Sequence, residues 1–86
     1  MYEPDMKYSN TVHQYYKKEL EEVTILVQVD PNEYKGIELL VFADGTVEKT
    51  KRHFDDEIFD DLEADGFVTG SPLEFNLYLK GIGAGS

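Results

Sequence analysis

The chain has 86 residues and no cysteine, and 41% of its residues are hydrophobic. This length predicts one small domain, the apolar fraction excludes a disordered chain, and the lack of cysteine excludes disulfides and thiolate metal sites. The net charge of −10, from 18 acidic against 8 basic residues, disfavours direct binding to nucleic acid or to anionic membranes, because like charges repel.

Neither a secretory signal nor a membrane span is predicted. The first ten residues lack the basic start and apolar centre of a signal peptide. No apolar run approaches the roughly 18 residues that a spanning helix needs. Together with the lack of cysteine, these features predict a cytoplasmic protein that contacts no membrane.

The N-terminal region is predicted to be a flexible arm followed by a helix. Residues 1–8 show no periodic pattern. A helix is predicted over residues 11–22, where Thr11 and Gln14 fit a capping box. Four apolar side chains then recur at helical spacings of four, four and three, namely Val12, Tyr16, Leu20 and Val23.

Three strands in a meander are predicted next, because apolar and polar side chains alternate. They span residues 23–30, 37–42 and 46–52. A two-residue loop in the second turn sets Val41 opposite Glu48, whereas a three-residue loop ending at Gly45 sets it opposite Val47. We expect the three-residue loop, since it keeps the apolar face together. The lysines of the third strand are typical of a sheet edge.

An acidic helix is predicted over residues 55–65, where seven of eleven positions are Asp or Glu and none is basic. Asp55 is the expected N-cap, and Phe54 with Phe59 the expected hydrophobic staple. Gly66 is the expected C-terminal stop. The predicted buried stripe contains Ile58, Phe59 and Leu62, and the predicted exposed acidic face contains Asp56, Asp60, Asp61, Glu63 and Asp65.

The last element is predicted to be a strand, because Leu73, Phe75, Leu77 and Leu79 alternate with polar residues or tyrosine. Residues 83–86 are expected to be a flexible tail, which leaves a single domain over residues 9–82. The predicted fold is α+β, with the chain order α-β-β-β-α-β and a four-stranded mixed sheet packed with two helices. The last strand is expected to lie parallel to the third, beside the first.

No catalytic or cofactor-binding motif is present, and we expect neither an enzyme nor a cofactor. His13 and His53 lack a Ser or Glu at a spacing that suggests a proton relay. Residues 61–68 match five positions of an EF-hand loop, but Pro72 stands where the bidentate glutamate belongs. We therefore predict no metal site.

Two surfaces are candidates for a function, although a run of acidic residues is more often the solvated exterior of a helix. Four apolar side chains are expected on the sheet face away from the acidic helix, namely Leu26, Leu40, Phe42 and Tyr78. Either the N-terminal helix covers this patch, or the patch binds a protein partner, foremost a second copy of the chain. The sequence thus predicts a small acidic protein-binding or regulatory domain. The alternatives are an inhibitor whose acidic face imitates nucleic acid and binds a basic protein, and a subunit of an enzyme assembly.

Overall fold

The fold is a five-stranded antiparallel sheet with one helix on each face. The computed structural model describes residues 12–84, and the side chains of residues 12–81. The elements in chain order are β1 (Gln14–Glu19), β2 (Val23–Asp30), β3 (Lys35–Phe42), β4 (Val47–His53), α1 (Ile58–Ala64), β5 (Val68–Thr69) and α2 (Pro72–Ala84). The strands lie in the order β4-β3-β2-β1-β5. The α+β class is confirmed, but the four-stranded mixed sheet is wrong, because all four strand pairs are antiparallel.

Two hydrophobic clusters lie on opposite faces of the sheet. The α2-side cluster is formed around Leu26, Leu39 and Phe75. The α1-side cluster is formed around Val27, Val29 and Leu62. Leu26 and Val27 are neighbours in β2, so their side chains point to opposite faces. The central strand is therefore buried on both sides, which explains why apolar residues occupy both odd and even positions of it.

The predicted helix over residues 11–22 is wrong, because residues 14–19 form β1. β1 pairs with β2 from Gln14 opposite Val29 to Glu19 opposite Thr24. Tyr15 packs against the α2-side cluster and Tyr16 against the α1-side cluster, as alternation in a strand requires. Two of the apolar residues that suggested a helix, Val12 and Leu20, are exposed.

The β3–β4 hairpin has the predicted register. Val41 lies opposite Val47, and Gly45 adopts the left-handed conformation at φ 95°. Ile37, Val41 and Val47 all pack against the α2-side cluster. The three-residue loop is therefore confirmed, as is the position of β4 at the edge of the sheet.

In the β2–β3 hairpin, the residues of β3 share a sheet face with those β2 residues that were predicted to lie on the other face. Its four-residue turn pairs Asp30 with Lys35, so Ile25 lies opposite Leu40 and Leu26 opposite Leu39. The expectation that Leu26 shares a face with Leu40 is wrong, since even positions of β2 share a face with odd positions of β3. The carboxylate Oδ1 of Asp30 accepts the N–H groups of residues 32 and 33 at 2.8 and 3.3 Å, which stabilises this turn.

α1 follows the predicted acidic helix but is shorter. It begins at Ile58 with Glu57 as N-cap, so the predicted N-cap at Asp55 is wrong. The side chain of Asp55 instead accepts the N–H of Glu57 at 3.0 Å in the turn before the helix. Leu62 is buried, and Ile58 and Phe59 pack beside it, so the predicted buried stripe is confirmed. Gly66 ends the helix at φ 93°, as left-handed glycines commonly do.

The predicted last strand is wrong, because residues 72–84 form α2. Ser71 caps this helix, since its Oγ accepts the N–H of Glu74 at 3.2 Å. Pro72 occupies the first helical position, where its missing N–H is not needed. Phe75 and Leu79, four residues apart, pack against the sheet. The alternation at every second residue thus conceals two helical pairs, Phe75 with Leu79 and Leu73 with Leu77.

The ends of the predicted domain are only partly described. The predicted arm over residues 1–8 and residues 85–86 of the predicted tail lie outside the described residues. α2 extends through residue 84. Neither helix described between residues 12 and 84 combines the length and apolar character that crossing a bilayer requires.

Candidate functional site

The four residues of the predicted apolar patch do not form one surface. Leu26 is 2% exposed and lies under α2. Leu40 and Phe42 lie on the opposite face of the sheet, where Leu40 is the neighbour of Ile25 in the α1-side cluster. Tyr78 lies on α2 and is 37% exposed. The four residues are separated for two reasons. The β2–β3 pairing puts Leu26 and Leu40 on opposite faces, and the segment that contains Tyr78 is a helix and not the predicted strand.

A different apolar surface is present on the solvent side of α2. Leu73 and Leu77 are 71% and 64% exposed, and they lie one helical turn apart on the side away from Phe75. Tyr78 flanks them. We call these three residues the outer α2 face. A helix that is apolar on both sides is typical of an element packed on both sides.

α2 is also nearly free of net charge. Among its thirteen residues, Glu74 and Lys80 are the only charged ones. The two carboxylate oxygens of Glu74 lie 3.2 and 3.1 Å from Nζ of Lys17 on β1, and Glu19 lies 3.2 Å from the same nitrogen. The hydrogen bonds that Nζ of Lys17 donates to Glu74 and, second, to Glu19 raise the pKa of Lys17. This ion pair anchors the first turn of α2 to the sheet.

The predicted acidic face is exposed as expected. Asp56, Asp60, Asp61, Glu63 and Asp65 all lie at the surface. None of the four ion pairs among the described side chains involves residues 55–65. Nζ of Lys18 approaches this segment but binds the backbone oxygen of Asp65, at 2.5 Å. Burial and then the charge of Glu63 raise the pKa of Tyr16 behind the helix.

The residues that match an EF-hand loop do not form one in the structure. Asp61 and Glu63 lie within α1, and Val68 begins β5. Between residues 12 and 81, no three His, Asp or Glu side chains are arranged to hold a metal ion.

The structure brings His13 and His53 to one cleft, which sequence reasoning missed. The cleft has a volume of about 410 Å³ and lies at the end of the sheet where β2 turns into β3. Its charged and titratable lining residues come from all four long strands or their ends: His13, Asp30, Lys35, Lys51, Arg52 and His53. We call this site the basic cleft.

The register of the sheet explains this arrangement. Asp30 pairs with Lys35, and Lys35 pairs with His53, while His13 precedes the residue that pairs with Val29. Gly36 also lines the cleft, and a Cβ on it would lie 1.6 Å from the carbonyl oxygen of Gln28. Glycine is therefore needed here for β2 and β3 to approach. If residues 14–19 had been predicted as a strand instead of a helix, the sequence would have placed His13 and His53 at the same end of the sheet.

Comparison of the chain with models of protein families, with curated proteins and with solved structures gives no match. The function proposed below is therefore inferred from the geometry and chemistry of this chain alone.

Proposed function

We propose that this chain is a non-catalytic protein-binding domain that forms a homodimer through the outer α2 face. The observation that carries the proposal is the exposure of Leu73 and Leu77, at 71% and 64%. These leucines contribute little to the monomer's core, whereas burying each of them in an interface stabilises it by roughly 1.5–3 kcal/mol.

The distribution of charge favours a second copy as the partner. The chain carries a net charge of −10, so two copies repel each other wherever their acidic surfaces meet. The single acid and single base of α2 cancel, and Glu74 is already paired with Lys17. Two copies that meet at α2 therefore bury leucine against leucine without opposing carboxylates.

A symmetric contact also doubles a small surface. In a two-fold interface each copy contributes the same patch, so four leucines and two Tyr78 rings meet. Stable interfaces generally bury more than about 1,000 Å² in total. The proposed dimer is therefore modest in affinity, so the average molecular mass in solution depends on protein concentration.

Sedimentation equilibrium over a wide range of protein concentration tests the proposal. We expect the wild type to approach the mass of a dimer, and the double variant Leu73→Ser/Leu77→Ser to remain a monomer with an unchanged circular dichroism spectrum. The matched control is Val12→Ser/Leu20→Ser, which removes two other exposed apolar side chains. A wild type that stays monomeric at the highest concentration, or a control that dissociates equally, contradicts the proposal.

A second candidate is a domain whose acidic face imitates nucleic acid and binds a basic protein. Its support is the exposed run of carboxylates over residues 55–65, none of which is in an ion pair with a described basic side chain. Such carboxylates are available to a cationic partner without breaking contacts within the chain.

Titration with an arginine-rich peptide tests this second candidate. We expect Asp60→Asn/Asp61→Asn/Glu63→Gln to weaken binding by more than the control Glu21→Gln/Glu22→Gln/Glu48→Gln, which removes three exposed acids elsewhere. Binding should also weaken as salt increases, because screening reduces attraction between exposed charges. Equal losses in the two variants would attribute binding to net charge alone and reject the acidic face as a site.

A further inference from the structure

The basic cleft lies apart from both surfaces of the proposed function. Ile37, which lines it, packs against the α2-side cluster. The same face of β3 and β4 that carries Ile37 also carries Lys35, Lys51 and His53. No described residue of α2 lines the cleft. It therefore opens where α2 leaves this face of the sheet uncovered.

The cleft concentrates positive charge in a strongly acidic chain. Three of its lining residues are lysine or arginine, and Asp30 is its single acid. The Oδ1 oxygen of Asp30 is held by two backbone N–H groups of the turn. Within the described part of the chain, Lys51 takes part in no ion pair. An anion that enters the cleft therefore meets at least one ammonium group that is in no ion pair with a described carboxylate.

The other two cationic groups have weak partners. Lys35 lies 2.9 Å from Glu33, and Arg52 lies 2.9 Å from Glu38. The side chains of Lys35 and Arg52 are about half exposed, at 54% and 47%. Arg52 and Glu38 lie on the opposite face of the sheet, because Arg52 pairs with Gly36 and successive side chains alternate between faces. Ion pairs at the surface contribute little to stability, so Lys35 remains able to turn toward an anion in the cleft. His13 and His53 add further N–H donors.

We propose that the basic cleft binds a small phosphate monoester. A monoester carries a charge of about −1.5 to −2 and three strong acceptor oxygens, which match the ammonium groups of Lys35 on β3 and Lys51 on β4. Ile37 also lines the cleft, and its apolar side chain suits the organic part of such a ligand. The volume of about 410 Å³ lies within the usual range for small-molecule sites. The chain's net charge of −10 disfavours an extended polyanion.

The test is titration of the ¹⁵N-labelled chain with phenyl phosphate at low salt, followed by amide chemical shifts. We expect saturable shifts at Asp30, Lys35, Lys51 and His53. Replacing the monoester with inorganic phosphate should give weaker binding at the same residues, because the contacts of the phenyl group are lost. Substituting Lys51→Gln should weaken phenyl phosphate binding about tenfold, the loss expected for one charge-assisted hydrogen bond.

The matched control is Lys80→Gln, which removes an exposed lysine on α2 outside the cleft and should leave the affinity unchanged. The amide spectrum itself reports whether each variant is folded, and Lys35→Gln provides a second test of the same site. Equal losses in Lys80→Gln and Lys51→Gln, shifts spread evenly over all lysines, or no saturable shifts would overturn the proposal. Lys35 and Lys51 do not belong to the outer α2 face. A failure to bind phenyl phosphate therefore leaves the dimer proposal intact.

Discussion

The two helices cover opposite faces of one sheet, but they differ in what they turn toward solvent. α1 buries Leu62 and exposes carboxylates. α2 buries Phe75 and exposes Leu73 and Leu77. The outward side of α1 is explained by solubility, whereas the outward leucines of α2 have no role in the described monomer. The difference separates residues that fold the chain from residues that we propose bind a second copy.

The largest expected effect separates the two sides of α2. Phe75 is 1% exposed and meets the ring of Tyr15 at 5.4 Å, so Phe75→Ala should lower the free energy of unfolding by about 3–5 kcal/mol. Leu77→Ala should change it by less than about 0.5 kcal/mol. Urea denaturation at low protein concentration, where the monomer dominates, measures both. A loss at Leu77 as large as that at Phe75 would abolish the distinction between the inner and outer sides.

The corresponding test of α1 should give a slightly smaller effect. Leu62 is buried in the α1-side cluster, so Leu62→Ala should cost about 2–5 kcal/mol. Asp61→Ala, on the exposed side of the same helix, should change the free energy of unfolding by less than about 0.5 kcal/mol. The comparison fails if the acidic side proves as sensitive as the buried one.

The helices also differ at their N-termini. Ser71 caps α2 through its side chain, whereas the residue that caps α1, Glu57, makes no side-chain hydrogen bond to the helix. Ser71→Ala should destabilise the chain by about 0.5–2 kcal/mol, and Ser71→Asp should restore most of the loss, since aspartate also accepts the N–H. Equal stability of the alanine and aspartate variants in thermal unfolding would show that the cap contributes nothing.

The smallest expected effect concerns the ion pair between Lys17 and Glu74 that anchors α2. Among the described side chains, no ion pair anchors α1 in this way. The pKa of Lys17 is raised above 10.5, first by its hydrogen bond with Glu74. A raised lysine pKa gives stabilisation that is present below the unfolded value and is lost as pH increases through the folded value. Lys17→Arg, which stays charged, should therefore lose less stability than the wild type above pH 10.5. Parallel stability curves for the two chains would contradict this anchor.

Local signals predicted the β3–β4 hairpin and α1 correctly, whereas the faces of the β2–β3 hairpin were mispredicted. The Asp44-Gly45 turn and the apolar alternation around it fixed the β3–β4 register. The buried stripe and Gly66 predicted α1. These features depend on neighbours in sequence, which the sequence displays directly.

β1 and α2, at the two ends of the described fold, were mispredicted because their apolar patterns fit both a helix and a strand. Alternation from Leu73 to Leu79 satisfied a strand, although Ser71, Pro72 and Glu74 form a helix-start signature and no β-branched residue lies between positions 73 and 80. β1 depends on pairing with β2, which no local signal reveals. The basic cleft needs the registers of four strands at once, so its residues appeared unrelated in the sequence.

The central claim is that the outer α2 face, and not α1, meets a second copy. Methyl NMR spectra recorded during dilution test it most directly, because each leucine reports its own surroundings. We predict that the methyl signals of Leu73 and Leu77 shift with protein concentration while those of Leu62 stay constant. Signals of Leu73 and Leu77 that do not change from dilute to concentrated solution, or changes centred on α1, would contradict the account.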